Sequence, residues 1–382
     1  MGIINQKLLS MCIPTYNRVS DLENLLNDII PQALEFRENV EICISNNAST
    51  DDTKKVVMNF KEKYLDLIKY NENKKNLGFD RNLLTVINMA SGKFVWTLSD
   101  DDFIVKDGIK TVVKFIIETG DKNVGGIALK DSSYVLDART GKKIKYHSSV
   151  DNNKPEVYGG LGCAEVLQEV PYRFVSVLIF NNILLKKLLR KNQDLVQRGI
   201  GSYYLHSWLY ILLFLLNKKA KCYVINKSII ISPDAKPRYK FMLEDNFKLI
   251  YYGKIKFFDN LLSIVNGSDK NIINIIKKAK AHPDIDNIRC MALYKAFGIA
   301  TYTSCVGCIK LFFKYLSYVD ALLISTSFII ILMTPSSLVK KLFKCGLELR
   351  HGKQRADSMW LEISIVYTHW NMGNDGCKRV PF

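Results

Sequence analysis

Three consecutive aspartates, Asp100, Asp101 and Asp102, directly follow an apolar, strand-forming run in the stretch FVWTLSDDDFI. Neighbouring carboxylates repel one another, and each raises the pKa of the next. Two interpretations are open at this point. Either the aspartates form a solvated surface turn, or a bound cation compensates their repulsion. Because hard divalent cations prefer carboxylate oxygens, the second interpretation predicts a magnesium or manganese site.

Polar segments also follow three other predicted strands in the first hundred residues. They are PTYNR at 14–18, SNNAST at 45–50 and NKKNLGFDRN at 73–82. In open α/β sheets, ligands bind outside the carboxyl ends of the strands. We therefore expect the four polar segments to lie at one edge of a sheet and to form one cleft, which makes a stray surface turn less favoured.

The elements that must position these segments alternate between strand and helix, which predicts an α/β fold with a parallel sheet flanked by helices. The predicted strands lie at 8–14, 40–44, 65–70, 93–98, 125–136, 174–180 and 222–231, and the predicted helices lie near 20–30, 50–60, 78–90, 109–117 and 203–216. Ser20, with Glu23 three residues later, forms a capping-box pattern for the first helix. Residues 137–160 are polar and predict a loop or hairpin over the cleft.

The composition restricts the class of partner without selecting one. The chain has 54 Lys and Arg residues against 37 Asp and Glu, a formal net charge of +17. This excess favours nucleic acid, phosphorylated ligands or an acidic membrane face. The odd number of scattered cysteines indicates free thiols in a reducing compartment. Cys305 and Cys308 form a CxxC without the second pair that a zinc site needs.

The chain divides by composition at about residues 245 and 345. Residues 246–345 are predicted to be mainly helical, basic and membrane-associated, and the tail at 346–382 has no assigned role. The uncharged run at 321–333 is shorter than the roughly 20 residues of a membrane-spanning helix. Its flanking lysines are Lys310, Lys314, Lys340, Lys341 and Lys344. They predict an interfacial helix or shallow hairpin, and a buried helix of a soluble domain is the alternative.

The segments CIPTYNR, EICISNNASTDDT, NLGFDRN and FVWTLSDDD resemble, in order and spacing, the motifs of the GT-A, family 2 glycosyltransferases. Among these the chain most resembles the abequosyltransferase-like enzymes of bacterial O-antigen synthesis. The resemblance is close over 7–110 and loose over 170–240. It implies a Rossmann-like GT-A catalytic domain at 1–245, with the mainly helical C-terminal region beyond it.

The resemblance also implies the reaction and its partners. A sugar would pass from a nucleotide-diphospho-sugar to a hydroxyl of a polyprenyl-linked glycan in O-antigen or other surface polysaccharide synthesis. A divalent metal, Mn or Mg, would assist. The enzyme would be cytoplasmic and peripheral to the inner face of the cytoplasmic membrane.

The motif positions imply a set of site residues. The implied nucleotide-sugar-binding residues are Pro14, Thr15, Asn17, Arg18, Asn46, Asn47, Gly78, Arg81, Asp100 and Asp101. Asp100 and Asp102 are the implied metal ligands, and Asp102 is also assigned to catalysis. Ser99 stands where the family usually carries an Asp, which leaves the metal-contacting carboxylate open. Each loop also has an ordinary reading as strand exits, turn caps or the start of a helix.

Asn46 and Asn47 bear on the identity of the donor. The family usually carries at least one Asp here, which accepts a hydrogen bond from the ring N–H of uracil. An amide offers both a donor and an acceptor, and cytosine presents an acceptor at that ring position. We therefore hypothesise that a CDP-linked donor is favoured over a UDP-linked one.

The general base is the position where the chain departs from the family. An acidic residue is usual at a helix start in the second half, and GSYYLHSWLY at 201–210 carries His206 and no carboxylate there. His206 has a suitable ordinary pKa, and Trp208 offers a ring for stacking on a sugar. A packed core histidine is the alternative. Glu244 and Asp245 are reserve candidates, and inverting or retaining chemistry stays open.

Three rival functions compete with glycosyl transfer. A nucleic-acid-binding protein fits the net charge, but no nucleic-acid-reading motif is recognised. A nucleotidyltransferase would need a Gly-rich basic loop near the N-terminus, which CIPTYNR is not. A non-catalytic GT-A relative fits the missing carboxylate.

The basic loop at 236–240 is read either as a lid over diphosphate or as a solvated loop.

Overall fold

The computed structural model describes residues 6–136, 143–148, 156–159, 175–233, 253–265, 270, 273, 325–327, 329–331 and 333–351. The chain divides into two compact units. Described residues of the first unit fall within 1–134, 145–233 and 260–276, and those of the second within 135–144, 234–259 and 277–382. The expected domain boundary at 245 lies outside the described residues, so the domain limits stay predictions.

The N-terminal part alternates strictly between strands and helices. Its strands are β1 (Leu9–Thr15), β2 (Val40–Asn46), β3 (Ile68–Glu72), β4 (Phe94–Thr97) and the short β5 (Phe103–Ile104). Its helices are α1 (Val19–Leu34), α2 (Thr53–Lys63), α3 (Phe79–Met89) and α4 (Gly108–Glu118). The predicted α/β alternation is confirmed, and strand ends differ from the predicted ones by a few residues.

Later strands extend the same sheet. They are β6 (Val124–Leu136), β7 (Lys143–Ser148), β8 (Glu156–Gly159), β9 (Leu178–Asn181) and β10 (Lys221–Pro233). The main path through the described strands runs β3-β2-β1-β4-β9-β6-β10-β5, with β7 paired to β6 and β8 to β10. The polar segment at 137–160, predicted as a loop or hairpin, therefore contributes β7 and β8 to the sheet.

Parallel pairing covers the half of the sheet that bears the polar segments. β1 lies between β2 and β4 and is parallel to both, and β2 is parallel to β3. Strand β9 then joins β4 in the antiparallel direction. All of β1 and β2 is buried, as expected for parallel strands covered on both faces. The carboxyl ends of β1 to β4 consequently meet at one edge.

The remaining described helices include three that follow β9 along the chain. These are α5 (Asn182–Lys191), α6 (Gln193–Gly199) and α7 (Leu205–Leu216), followed later by α8 (Gly253–Val265) and α9 (Ser336–His351). The last two agree with the predicted helical character of the C-terminal part. Across the stretches for which coordinates are described, no helix has the length and apolar character that crossing a bilayer requires.

The first two helices begin earlier or later than the capping patterns predicted. Helix α1 starts at Val19 without a side-chain cap from Ser20, and α2 starts at Thr53 rather than just after Ser49 or Thr50. Both starts use Asp51: Oδ2 accepts from the Val19 amide at 3.1 Å and Oδ1 from the Thr53 amide at 3.1 Å. One carboxylate in the loop after β2 thus satisfies the N-termini of two helices.

At the opposite edge of the sheet, where β2 begins, the buried carboxylate of Glu41 joins several strands and loops. Glu41 on β2 accepts from the Ser10 hydroxyl at 2.6 Å and from the Ser91 amide and hydroxyl at 2.7 and 2.8 Å. Lys69 on β3 lies 2.7 Å away. Burial raises the pKa of Glu41, but the hydrogen bonds from Lys69, Ser10 and Ser91 outweigh it and hold the pKa below 4.5.

Replacing Glu41 with Ala is expected to destabilise the fold by about 3 kcal/mol, because the buried donors Ser10 and Ser91 lose a charged acceptor. Glu41→Gln keeps the shape and is expected to cost roughly half as much. Because the pKa of Glu41 is lower in the folded protein than its ordinary value of 4.5, the ionised carboxylate stabilises the folded state above pH 4.5. This stabilisation is lost as the pH falls through the folded pKa. Urea unfolding at neutral and acidic pH measures both effects.

Glu72→Gln is the matched control, because Glu72 is exposed and forms a surface ion pair with Lys54. Its urea midpoint is expected to match that of the unmodified protein. An equal decrease of the urea midpoint in Glu41→Gln and Glu72→Gln would show that the buried hydrogen bonds of Glu41 do not stabilise the fold more than a surface ion pair does.

Candidate active site

The acidic turn, defined as Asp100–Asp102, is buried at the end of β4. The three residues are only 4%, 5% and 3% exposed. The interpretation as a solvated surface turn is therefore wrong. Three buried carboxylates in succession need compensation from nearby donors or cations, and the structure supplies it from two directions.

The first compensation comes from the segment at the end of β1. Arg18 places Nη1 2.9 Å from Asp100 Oδ1 and 2.7 Å from Asp101 Oδ2. Thr15 donates its hydroxyl to the other oxygen of Asp100 at 2.8 Å. Burial raises the pKa of Asp100 to about 6, with Asp101 adding to the rise and with Arg18 and Thr15 opposing it. The guanidinium of Arg18 thus joins the polar segment after β1 to the acidic turn after β4.

The second compensation comes from a residue that the sequence did not reveal. Ser176, in the 3₁₀ turn Val175–Val177 before β9, donates its hydroxyl to Asp102 Oδ2 at 2.6 Å and accepts from the Ser99 amide at 2.8 Å. The Trp96 indole fixes that turn by donating to the Ser176 carbonyl at 2.8 Å. Ser176 lies 74 residues from Asp102, and no local pattern marks it.

Of the two residues expected in the loop after β1, Asn17 lies there and Pro14 does not. Pro14 lies within β1, buried and in register with Ser45 of β2. Asn17 is exposed and adopts a positive φ of 53°. Its Oδ1 accepts from the Thr50 amide at 2.7 Å, and its own amide donates to the Ser49 hydroxyl at 2.9 Å. Asn17 therefore joins the first and second polar segments.

Asn47 uses both ends of its amide within the protein. Its Nδ2 donates to Asn76 Oδ1 at 2.7 Å, and its Oδ1 accepts from Asn73 Nδ2 at 3.0 Å and from the Leu77 amide at 2.9 Å. The side chain is almost fully buried. These bonds fix the third polar segment against the second.

Asn46 is engaged in a similar way. Its Oδ1 accepts from the Ser49 amide at 2.9 Å, which is a turn-capping bond, and its Nδ2 donates to the Tyr70 hydroxyl at 3.0 Å. The alternative that these two asparagines shape turns is thus supported by geometry. Recognition of a nucleobase by either amide would require some of these bonds to be exchanged.

The third polar segment contains the predicted Gly78 and Arg81 and two further residues, Asp80 and Asn82, that bond to other segments. Gly78 has a φ of 80° and precedes α3, and Arg81 is exposed on its first turn. Asn82 is buried and holds Ser45, accepting from its hydroxyl at 2.7 Å and donating to its carbonyl at 2.9 Å. Asp80 is buried and bonds to the backbone of Gly201.

His206 lies in the first turn of α7 and is 2% exposed. Its ring centroid is 6.4 Å from those of Phe79 and Tyr204. Trp208 is fully buried, and its indole donates to the Leu195 carbonyl at 2.7 Å, so the expected stacking of Trp208 on a sugar is wrong. Glu244, Asp245 and the loop at 236–240 lie outside the described residues.

The acidic turn has the donor set of a divalent site. Its carboxylate oxygens suit Mg²⁺ or Mn²⁺, and oxygens of Asp100 and Asp101 already converge on one positive atom of Arg18. Asp102 is turned toward Ser176 instead. Among residues with described positions, no three His, Cys, Asp or Glu side chains are grouped as metal ligands. The predicted pair of Asp100 and Asp102 stays a prediction.

Comparison with known sequences agrees with this geometry. Residues 10–165 match the model of glycosyl transferase family 2. Abequosyltransferase RfbV of Salmonella typhimurium is 41% identical over 114 residues, which cover 30% of this chain and 34% of that protein. A GalNAc(5)-diNAcBac-PP-undecaprenol beta-1,3-glucosyltransferase of Campylobacter jejuni is 33% identical over 144 residues, or 37% and 45% of the two chains. The aligned parts thus span under half of these relatives.

Comparison with solved structures concerns the fold alone. The mannosyltransferase PcManGT from Pyrobaculum calidifontis, solved with GDP-Man and Mn²⁺, has a TM-score of 0.51 and 16% identity over 97% of this chain and 88% of its own. TarS from S. aureus, solved with UDP-GlcNAc, has a TM-score of 0.52 and 16% identity over 96% and 92%. The fold is therefore GT-A, and residues 10–165 are similar to glycosyl transferase family 2.

Proposed function

We propose that this chain transfers a sugar from a nucleotide-diphospho-sugar to a hydroxyl group of a polyprenyl-linked glycan in O-antigen or other surface polysaccharide synthesis. The observation that carries the proposal is the buried acidic turn, bonded to Arg18 and Thr15 at the carboxyl edge of a parallel sheet. The names of two relatives, an abequosyltransferase and an undecaprenol-linked glucosyltransferase, support the substrate class.

The proposed reaction breaks the bond between the anomeric carbon and the diphosphate and forms a bond from that carbon to the acceptor oxygen. The acceptor hydroxyl loses its proton to a base, and nucleoside diphosphate leaves. Asp100 and Asp102 would hold a divalent metal, Mn or Mg, which when bound supplies charge neutralisation to the leaving diphosphate. Arg18, which contacts Asp100 and Asp101, would bind a phosphate of the donor.

His206 is the proposed base, because its imidazole lies at the start of α7, where the family usually carries a carboxylate. An imidazole nitrogen is chemically able to accept the proton of the acceptor hydroxyl. Burial against Phe79 and Tyr204 would shield a transferred proton from water. Activity of the unmodified protein, lost in His206→Ala, would exclude a non-catalytic relative.

Nucleic-acid binding is less well supported, although the net charge of +17 suits it. The described edge of the sheet presents buried carboxylates, which repel phosphodiesters unless a cation intervenes. Filter binding at physiological salt distinguishes the two functions, because a glycosyltransferase is expected to retain no nucleic acid.

Replacement of Asp102 by Asn is expected to lower sugar transfer by about 100-fold, since the carboxylate is a proposed metal ligand. EDTA is expected to have a comparable effect on the unmodified protein, reversed by Mn²⁺. The assay incubates protein and bacterial membranes with a panel of labelled sugar nucleotides and counts label in lipid.

Asp107→Asn is the matched control for Asp102→Asn. Asp107 is exposed, five residues from Asp102, and has a positive φ of 63° that Asn tolerates. Its transfer rate is expected to match that of the unmodified protein. Full activity of Asp102→Asn, or of the EDTA-treated protein, would remove the metal from the proposal.

The donor is proposed to be CDP- or UDP-linked, with CDP favoured because asparagines stand at positions 46 and 47. CDP is expected to inhibit transfer more strongly than UDP, by about threefold or more, since one hydrogen bond of difference contributes about 1 kcal/mol. Competition curves measured with Mn²⁺ present check this. Tighter inhibition by UDP would show that the two amides only shape the loop, as their internal bonds suggest.

We also propose that the second unit binds an anionic membrane surface. Leu338 and Leu342, one turn apart on α9, are 45% and 61% exposed, and Ile330 and Met333 on the preceding helical residues are 61% and 78% exposed. Lys341 lies on the same helix. Apolar side chains beside lysines suit the headgroup boundary, where each lysine contributes about 1 kcal/mol.

The double variant Leu338→Glu, Leu342→Glu is expected to lower binding to phosphatidylglycerol-containing vesicles by about fivefold or more, because acidic groups replace the inserting side chains. Sedimentation with vesicles measures the bound fraction, and high salt is expected to lower it as well. Leu65→Glu is the control, since Leu65 is 69% exposed in the first unit. Equal binding by all three proteins would contradict a membrane role for α9.

A further inference from the structure

A second buried carboxylate, separate from the acidic turn, connects two distant parts of the first unit. Asp80 lies in the first turn of α3 and is 5% exposed. Its Oδ2 accepts from the backbone amides of Gly201 at 2.7 Å and Tyr203 at 3.2 Å, residues 121 and 123 positions away. The charge-assisted bonds of one oxygen thus fix the connection between α6 and α7.

The segment held in this way, Gly199–Tyr204, has an unusual backbone. Gly201 and Tyr203 have φ values of 81° and 62°. A positive φ is accessible to glycine but is uncommon and costly for tyrosine. Such conformations persist where surrounding bonds impose them, and they concentrate at functional positions. The Asp80 carboxylate supplies the bonds that impose this one.

Further contacts fix the same segment from its other side. Ser202 is fully buried and donates its hydroxyl to the Gly199 carbonyl at 2.6 Å, while the Tyr204 amide donates to the Ser202 hydroxyl at 3.1 Å. A side chain at Gly199 would lie 2.2 Å from the Trp208 ring, so α7 packs closely against the segment. The Gly199–Tyr204 segment is consequently held on one side by Asp80 and on the other by Ser202 and α7.

Tyr203 nevertheless keeps part of its side chain in solvent, with 36% exposure. Because Asp80 follows the carboxyl end of β3, the bonded segment lies at the same edge as the acidic turn. Helix α7, which starts directly after the segment, packs against α3 and β9. Strand β4, which ends in the acidic turn, lies between β9 and the β1–β3 group that bears the proposed nucleotide segments.

We propose that Asp80 is a positioning residue that holds Gly199–Tyr204 so that the Tyr203 ring stacks on a sugar of the acceptor glycan. This inference rests on the proposed glycosyl transfer and adds the acceptor side to it. A partly exposed aromatic ring with little conformational freedom suits the apolar face of a pyranose. Asp80 also lies between Gly78 and Arg81, so the same helix start joins the proposed donor and acceptor sides.

The test separates transfer to glycan from transfer to water. Protein, bacterial membranes and labelled sugar nucleotide are incubated with Mn²⁺, and label in lipid is divided by label released as free sugar. A smaller folded fraction lowers both products equally, so the ratio is insensitive to a simple loss of stability. Asp80→Ala is expected to lower the ratio by about tenfold, and Tyr203→Ala by a similar factor, since misplacing a bound group by about 1 Å is costly.

Conservative variants at the same two positions are expected to leave the ratio of label in lipid to label in free sugar nearly unchanged. Asp80→Asn keeps one carbonyl acceptor for the two amides and is expected to retain most of the ratio, and Tyr203→Phe keeps the ring. Nucleoside diphosphate affinity with Mn²⁺ is expected to stay within about threefold for all four variants, because the donor contacts are untouched. Asp194→Ala, an exposed acid in the first turn of α6, is the matched control and is expected to change nothing.

Hydrogen exchange provides a readout independent of activity. The amides of Gly201 and Tyr203 are expected to exchange faster in Asp80→Ala than in the unmodified protein. Unchanged exchange would overturn the positioning role, and faster exchange with an unchanged ratio would overturn the acceptor role. If the unmodified protein neither transfers nor releases sugar, the proposed function and the acceptor role both fail, while the exchange result still decides whether Asp80 holds the segment.

Discussion

The edge of the sheet depends on how three consecutive buried carboxylates are compensated. Each would be costly to bury alone, and together they repel. Arg18 and Thr15 arrive from the end of β1, and Ser176 arrives from the turn before β9. Because β4 lies directly between β1 and β9, the strand order is what brings these donors to the aspartates. The burial of the three aspartates therefore depends on the strand order β1-β4-β9, because this order supplies the groups that compensate their charge.

The neighbouring part of the edge is held by neutral amides. Asn47 and Asn82 each bond to two or more partners from other segments, and Asn73 lies between them. Neutral side-chain networks keep their geometry over a wide pH range, since none of their groups titrates near neutrality. A loop built in this way offers a fixed shape, so selectivity for a base would come from the shape as much as from any single amide.

The sequence predicted what depends on local patterns. The strand–helix alternation, the parallel pairing and the meeting of polar segments at one edge all follow from apolar runs and the residues that end them. The contacts of Ser176 and Asp80 did not follow, because they join residues 74 and 121 or more positions apart through single hydrogen bonds. The capping pattern at Ser20 was wrong for a related reason: Asp51, from another loop, already satisfies that helix start.

The two modes of compensation differ in how they respond to a charged ligand. Arg18 contacts the acidic turn through one nitrogen and is partly exposed, so a cation that takes its place among the carboxylates would leave the guanidinium available to an anion. The asparagine network consists of neutral amides, hydroxyls and backbone groups, and the Asp80 carboxylate bonds to the backbone amides of Gly201 and Tyr203. In the proposed reaction, Arg18 would therefore exchange its carboxylate contacts for a phosphate of the donor, while Asp80 would keep its bonds to Gly201 and Tyr203 and so hold the acceptor side.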